Sequence, residues 1–530
     1  MFIRIGKYNW FARVAVILAF GMSALVSVAA QTGPVQTSEA RRRLFELLGR
    51  VDRQALNYRT RAEVLEPEPG INLYGPEFFS SFNSMLPYGQ NDGSLWQGRG
   101  LNSSLSGGLH LVENGFELSF LPELSWSQNL RFELMPSAYE NEYGYIWSFG
   151  GNAMVDAPQR FGNQAFWTPS WGDSELRYSY GAFTLGFGTQ LPWLGPAMVN
   201  PLLHSNTALP YPKLDVGIRR MSLNLFGWHA GEVEARLWAG RLSESDYFDS
   251  NPDNDHRLIS GLSVAYAPGF VPGLSFFANR TFLAGWKIEN TVYIPELFLV
   301  SLHNHKQVQG AEDQRAGLGF SYLLPQAGFE VYGELALDDY VAGTNGYIRY
   351  PFHTIAYTAG MAKAFEIAPE QGIYGLLNAE FHTSELSQDF QFQWPSTFYG
   401  HHQIAQGYTS GGQWLGPGSG TGGNAQYLGF TLFYPKGSIG GFVYRMNPDN
   451  DFLYKDSVQA ILPTIDGSTA EHFFRFKASF SIGIEGEFQL NEWLLLSGGL
   501  VYDYVVNPRY EAWTYQNNFR VTFGVAIIEL

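Results

Sequence analysis

The side chains best placed to do chemistry lie in YGHHQIAQGYTSGGQWLGPGSGTGGN, residues Tyr399 to Asn424. An adjacent pair, His401 and His402, precedes Tyr408, Trp414 and a glycine-rich run. A metal site would need further donors at fixed spacing, and no nearby acid supplies them; the chain has no cysteine. Adjacent histidines on a strand would also point to opposite faces. The run GPGSGTGG, Gly416 to Gly423, lacks the Lys-Ser/Thr and the following helix of a phosphate loop. His303 and His305 sit in the polar stretch LHNHKQVQGAEDQ with no ligand set around them. There is no G-x-S-x-G elbow, and no Ser, His and acid stand in a readable triad spacing. No catalytic residue, metal or cofactor is therefore expected. A hydrolase assembled from distant strands stays as an alternative.

What recurs instead is aromatic side chains among glycines and amides. FWTPSWGDSE carries Trp171, TQLPWLGPAMVNP carries Gln190 and Trp193, and the first stretch carries Trp414. Flat rings stack on the C–H faces of sugars while amides and hydroxyls bond the rim, and glycine lets backbone come close. The competing reading is that these rings only pack loops or ring a membrane interface.

Such residues need elements to hold them, and the composition restricts which. Aromatics make up 16% of the chain, charged residues only 15%, and glycine 59 of 530 positions. That balance suits an all-β protein. The N-terminus is expected to be a signal peptide over residues 1–30. Arg4, Lys7 and Arg13 precede an apolar run from Val14 to Val28, and Ala29-Ala30 closes it. Without cysteine, a lipid anchor and disulfides are both excluded. Losing three basic residues lowers the formal net charge from −16 to about −19. So acidic a chain is a poor nucleic-acid binder.

The strands are the clearest signal. In FRFKASFSIGIEGEF, Phe474, Phe476, Ala478, Phe480, Ile482 and Ile484 alternate with polar residues. GFEVYGELALDD repeats the pattern with Phe329, Val331, Leu335 and Leu337, and the C-terminal stretch does so from Phe519 to Ile527. Two- to four-residue turns alternate with long polar excursions. Strands of ten or more residues and aromatics near their ends (Trp493, Tyr502, Trp513, Tyr515) favour a transmembrane antiparallel β-barrel over a soluble sandwich. In lipid, only a closed barrel pairs every backbone group of such strands. The length after Gly100 supports about 16 to 20 of them. The expected organisation is an N-terminal amphipathic helix segment at 31–70, a connector or plug segment at 71–100, and the barrel at 101–530. The helix has apolar positions from Ala40 to Ala55, with Arg41, Arg42, Arg43, Arg50 and Arg53 beside them. Its basic face is either solvated or docked on an acidic mouth of the barrel.

Several of these stretches resemble the Wzi family of outer-membrane lectins, which help attach capsular polysaccharide to the cell surface. The similarity lies in YGAFTLGFGTQLPWLGP (Tyr180 to Pro196), in Tyr399 to Asn424, in YRMNPDND (Tyr444 to Asp451), and in an aliphatic C-terminal strand. It runs in order from about Leu101 to Leu530. The resemblance implies a barrel of about 18 strands, occluded by extracellular loops and by N-terminal helices, that binds polysaccharide without catalysis. The family's small helical bundle is not matched here, where one helix is followed by YGPEFFSSFNSMLPYGQNDGSLWQGRG. Carried over by position, the resemblance assigns Gln190, Trp193, His401, His402 and Tyr408 to carbohydrate binding. Trp171 and Trp414 join them on local chemistry. Arg219 and Arg220 join as cations for an acidic glycan, which the net charge repels; bridging divalent ions or a neutral glycan are the other ways round that repulsion. The implied partners are capsular or other surface polysaccharide, outer-membrane lipid and lipopolysaccharide, with the chain acting as a monomer. A sugar or solute porin on the same fold is the principal alternative.

Overall fold

The computed structural model describes residues 35–60, 69–137, 141–149, 152–153, 155–298, 312–338, 354–386, 398–401, 403–453 and 475–528. The expected signal peptide, His402, and the pair His303 and His305 lie outside the described residues.

Alternating runs pair in antiparallel register and close on themselves. The first strands are β1 (Gly70–Asn83), β2 (Gly100–Glu113), and two interrupted ones, β3 (Phe116–Phe120 with Glu123–Ser127) and β4 (Phe166–Ser170 with Glu175–Tyr180). They are followed by β5 (Phe183–Gly188), β6 (Lys213–Leu225), β7 (Trp228–Ser243), β8 (His256–Pro268) and β9 (Leu274–Gly285). Next come β10 (Glu312–Leu324), β11 (Phe329–Asp338), β12 (Ile355–Ala368) and β13 (Ile373–Thr383). The last are β14 (Asn424–Tyr434), β15 (Gly437–Asn447), β16 (Ala478–Asn491), β17 (Leu494–Val506) and β18 (Tyr515–Ile527). β1 pairs with β18 as well as with β2, so the sheet has no edge and the barrel has 18 crossings. The all-β barrel expected from the sequence is the fold observed.

Closure begins earlier than expected. Gly70–Asn83 falls almost wholly in the stretch 71–100 expected to be a connector, yet it is a barrel strand. Pro76 sits at the register shift between Tyr74 and Glu77, where the ladder needs no donor from it. Only the remainder, up to Arg99, turns inward as a plug.

Phe480, Ile482, Ile484, Leu500, Val521, Phe523, Leu318 and Phe187 all lie at least 43% exposed on the outside. An apolar band this continuous is tolerated in lipid and not in water. Inward-facing neighbours are polar and buried: Glu330, Glu334, Arg315, Arg236, Asp215 and Lys213. At one end the connections are short, such as Asn114-Gly115 with φ of 49° and 85°, both left-handed as a two-residue hairpin turn requires. The long loops gather at the other end, which is the extracellular one by the usual asymmetry of such barrels.

The helix α1 (Val35–Leu47) lies at the short-turn end. Leu44 and Leu47 are fully buried against Ala362, Tyr374, Leu376 and Phe433. The apolar spacing predicts helix as far as Ala55, but α1 stops earlier. Gly49, at φ 65°, donates to Glu46 O, and Arg50 N donates to Phe45 O, a paired closing turn that consumes the last carbonyls. The basic face is docked: Arg43 and Arg53 both meet Glu330, at 2.5 and 2.9 Å.

Candidate functional site

Irregular backbone inside a barrel cannot join the strand ladder, so its N–H and C=O groups must find partners among side chains. Here the inner wall provides them. Glu234 accepts from the backbone N–H of Leu56, Asn57 and Tyr58, at 2.7, 3.2 and 2.8 Å. Glu334 accepts from Ala197 and Leu202, at 3.1 and 3.0 Å. Glu380 accepts from Met198, Val199 and Asn200, at 2.8, 3.3 and 2.6 Å, and also from the Tyr332 hydroxyl at 3.0 Å. Guanidiniums serve the carbonyls. Arg257 donates to Gly407 O and Thr409 O, at 2.6 and 2.9 Å, and Arg315 donates to Phe398 O at 2.9 Å. Charge-assisted bonds of this kind are among the stronger ones available.

Three segments are held in this way: 56–58 from below, 197–202 from the side, and 398–409 from above. Their side chains form one buried core with the wall, including Tyr58, Leu194, Leu203, Tyr211, Trp238, Tyr399, Tyr408 and Leu415. The described residues therefore already fill the lumen, and the open diffusion channel held as an alternative is not what this barrel forms.

Most of the sequence-predicted site residues belong to that seal or to the periphery. Tyr408 is fully buried, stacks on Tyr399 at 5.9 Å, and lies under Arg315 at 4.5 Å. Its hydroxyl donates to Thr281, and burial pushes its pKa up to about 12. His401 caps a turn, its Nδ1 accepting from Gln403 N and Ile404 N at 3.3 and 3.1 Å. Gln190 is buried and donates to Asp173 O. Trp193 donates to Ala197 O, with Arg59 over its ring at 5.7 Å. Trp171 stands 62% exposed at the interruption of β4 beside Phe120. Arg219 and Arg220 are spent on Glu117 and Glu232. Among the described residues of that set, only His401, Tyr408 and Trp414 come together, in one loop.

Above the seal is a cavity of about 1690 Å³ at the long-loop end. Of the predicted residues that are described, Trp414 alone lines it. Its other aromatic walls are Tyr88, Trp96, Phe132, Tyr143, Tyr145, Tyr444, Tyr510 and Tyr515. The phenols are fixed. Tyr145 and Tyr510 both donate to Asp449, whose pKa burial raises, and Tyr444 donates to Asn200 Oδ1 at 3.0 Å. Trp414 meets Tyr145 edge-on at 6.2 Å. One signal in the sequence pointed here. The pentapeptide Asn-Pro-Asp-Asn-Asp occurs twice, at 251–255 in the loop that follows β7 and at 447–451 from the last residue of β15. The second copy supplies Asp449. Among the described residues, no group of three or more His, Asp or Glu is arranged to hold a metal.

Acid should loosen the seal. His204 lies in the inward loop, with its ring nitrogens 3.1 Å from Ser205 O and 2.8 Å from the Tyr211 hydroxyl. Burial pulls its pKa down to about 3. The unfolded imidazole titrates near about 6.5, so the native state resists protonation and stability falls as pH drops from there towards 3. Unfolding free energies taken along that limb should fall more gently for His204→Gln than for the parent, by up to about 1.4 kcal/mol per pH unit. Parallel limbs would mean that His204 is not the titrating group.

The family model described as capsule assembly protein Wzi matches residues 114–513. A solved structure similar to the chain is Wzi of Escherichia coli, an outer membrane protein involved in group 1 capsule assembly and described as a carbohydrate binding β-barrel. It shares 12% identity over 95% of each chain, with a TM-score of 0.56. Pseudomonas putida OprB is also similar, at 12% identity over 88% of this chain and 96% of that one, with a TM-score of 0.35. No curated protein matches the chain by sequence.

Proposed function

The chain belongs to the Wzi family of capsule assembly proteins, and from that premise we propose that its outer cavity binds surface polysaccharide without cleaving it. The barrel resides in the outer membrane and serves capsule assembly. The observation that carries the binding reading is the aromatic cavity of about 1690 Å³ standing over a sealed lumen. A closed floor means that a polymer can settle on it but not pass through. Partly exposed rings such as Trp414, Trp96 and Tyr88, backed by the anchored and buried Tyr145, Tyr444 and Tyr510, offer stacking surfaces that need little ordering on binding.

Absence of cleavage is part of the same proposal. The described histidines near the lumen are occupied: His204 on Tyr211, His382 on Thr358, and His110 on Ser119. The outward apolar band meets lipid and lipopolysaccharide directly, and a closed sheet leaves no edge for another copy to extend, so the protein is proposed to act as a monomer.

Trp414→Ala should weaken binding of capsular polysaccharide roughly threefold to tenfold, the range expected for one lost stacking ring. Trp171→Ala, on the outer face, should leave binding unchanged. Calorimetric titration of the detergent-refolded protein would decide between them. Equal losses for both variants would move the site away from the cavity, and shortening of the glycan during the titration would restore the hydrolase.

A further inference from the structure

We propose that the outside of the wall at β7 to β9 holds one lipopolysaccharide molecule, its lipid phosphate received by Arg241 and Lys287 and its acyl chains lying on Ile288, Val292 and Phe298. The site is on the lipid side of the barrel and does not rest on the glycan reading of the cavity.

Alternation decides which side chains face outward here. In β7, Glu234, Arg236 and Trp238 are buried towards the lumen, so Leu237 and Arg241 point away from it. In β9, Asn279 meets Asn57, Thr281 meets Tyr408, and Leu283 joins the lumen core, so Arg280, Phe282 and Ala284 point outward. Yet Phe282 and Ala284 are buried, because the chain after β9 turns back over the outside of the wall. Its helical turns, Ile288–Val292 and Tyr293–Glu296, lay Tyr293 on the Phe282 ring, stacked at 5.8 Å. Leu297 packs beside them against Leu237 and Leu262. Arg280 ties the flap down by donating to Glu296 O at 3.0 Å.

This flap turns apolar groups away from the wall. Trp286, Ile288, Val292 and Phe298 are all exposed, Ile288 by 83%, and they continue the outward band of Val264, Phe276 and Leu318. Arg241 stands 13 residues above Trp228 on β7. That is about 33 Å along the membrane normal for a strand rising about 3.3 Å per residue at a tilt near 40°. The apolar band of such barrels is about 25 Å tall, so Arg241 lies among the headgroups of the outer leaflet.

Arg241 forms no ion pair among the described residues. Its guanidinium donates to His256 Nε2 and lies over the Trp286 ring at 5.9 Å. Its Nε, like His256 Nδ1, is buried without a partner. Lys287 is exposed beside Trp286 and is likewise unpaired among the described residues. Of the acids nearby, Glu244 accepts from Gln406 in the inward loop, and Glu296 and Glu312 act on Arg280. That leaves Glu289 as the exposed acid of the flap. A free guanidinium fork fits the oxygens of a phosphate, and a lysine adds a point charge. Cations at headgroup height above an exposed apolar ledge are what a phosphate-bearing, many-chained lipid completes: the phosphate answers the donors and the chains cover the ledge.

The full chain, refolded in detergent, is offered bisphosphorylated lipid A, its dephosphorylated counterpart or phosphatidylglycerol, and bound lipid is counted by native mass spectrometry. The parent should retain one phosphorylated lipid A per chain, in clear preference to the other two. Each cation removed should weaken that retention about fivefold, so Arg241→Gln with Lys287→Gln should lose about 25-fold. Retention of the dephosphorylated form should not change. Lys287→Gln alone, at an exposed side chain, keeps the test readable where the double variant does not fold. Equal retention of the phosphorylated and dephosphorylated forms overturns the proposal, as does parental retention by a folded double variant. Equal retention of phosphatidylglycerol overturns it in favour of any anionic lipid, and displacement of lipid A by inorganic phosphate overturns it in favour of a free-phosphate site.

Discussion

Excising Gly400 to Gly422 and bridging the gap with a short Gly-Ser linker should turn a silent barrel into a conducting one. An 18-crossing barrel encloses a lumen too wide for wall side chains to fill, so an unplugged one passes ions. Here the closure comes from loops, and this stretch carries Tyr408 and Leu415 at the middle of the lumen core. Its removal also strands Arg257, which now holds Gly407 and Thr409. The freed guanidinium would line the new passage and favour anions. In planar bilayers the parent should show no steps, and the excised variant should show steady, anion-selective ones. A conducting parent would refute the sealed lumen. A silent variant would place closure on the 197–202 and 56–58 segments alone.

Glu380→Ala should have the next largest effect. One carboxylate receives three consecutive backbone N–H groups, the Asn200 side-chain amide at 3.1 Å and the Tyr332 hydroxyl. Its loss leaves several buried donors without an acceptor, at about 1–3 kcal/mol each, so the sum is on the order of 5 kcal/mol. The expected result is a large drop in thermal midpoint together with brief, irregular channel openings as the 197–202 segment leaves its place. Glu380→Gln should be nearly as damaging, because one acceptor oxygen becomes a second donor facing donors. A variant that unfolds at the parental temperature and stays silent would show that water replaces the carboxylate.

Much of the barrel was legible in the sequence, because a strand with one face to lipid must alternate. Phe480, Ile482 and Ile484 announce this without any context. Gly70–Asn83 was not legible, since Gly75 and Pro76 interrupt the period and the strand survives through a bulge. The helix was legible, but its end was not, because Val51 and Ala55 continue an apolar spacing that Gly49 has already broken off. At the site, residue type was the wrong guide. Tyr408, a ring fully buried in the seal, and Trp414, which lines the cavity, sit six positions apart in one irregular loop, where no period tells inward from outward. The vestibule is built from rings of separate loops and strand ends, which only closure of the barrel brings together. Wall residues such as Glu380 and Glu334 read as ordinary lumen acids, because their partners are main-chain groups, which every residue carries.

That last feature has an evolutionary reading. Glu234, Glu334 and Glu380 grip amide hydrogens and not side chains, so what they hold is nearly independent of which amino acids the loops carry. The instructions for folding the outer loops inward are thereby written in the barrel, and the loops' own lettering is left free. Such a protein can change its outward face substitution by substitution, as a population under pressure to vary its coat would require, without ever springing a leak.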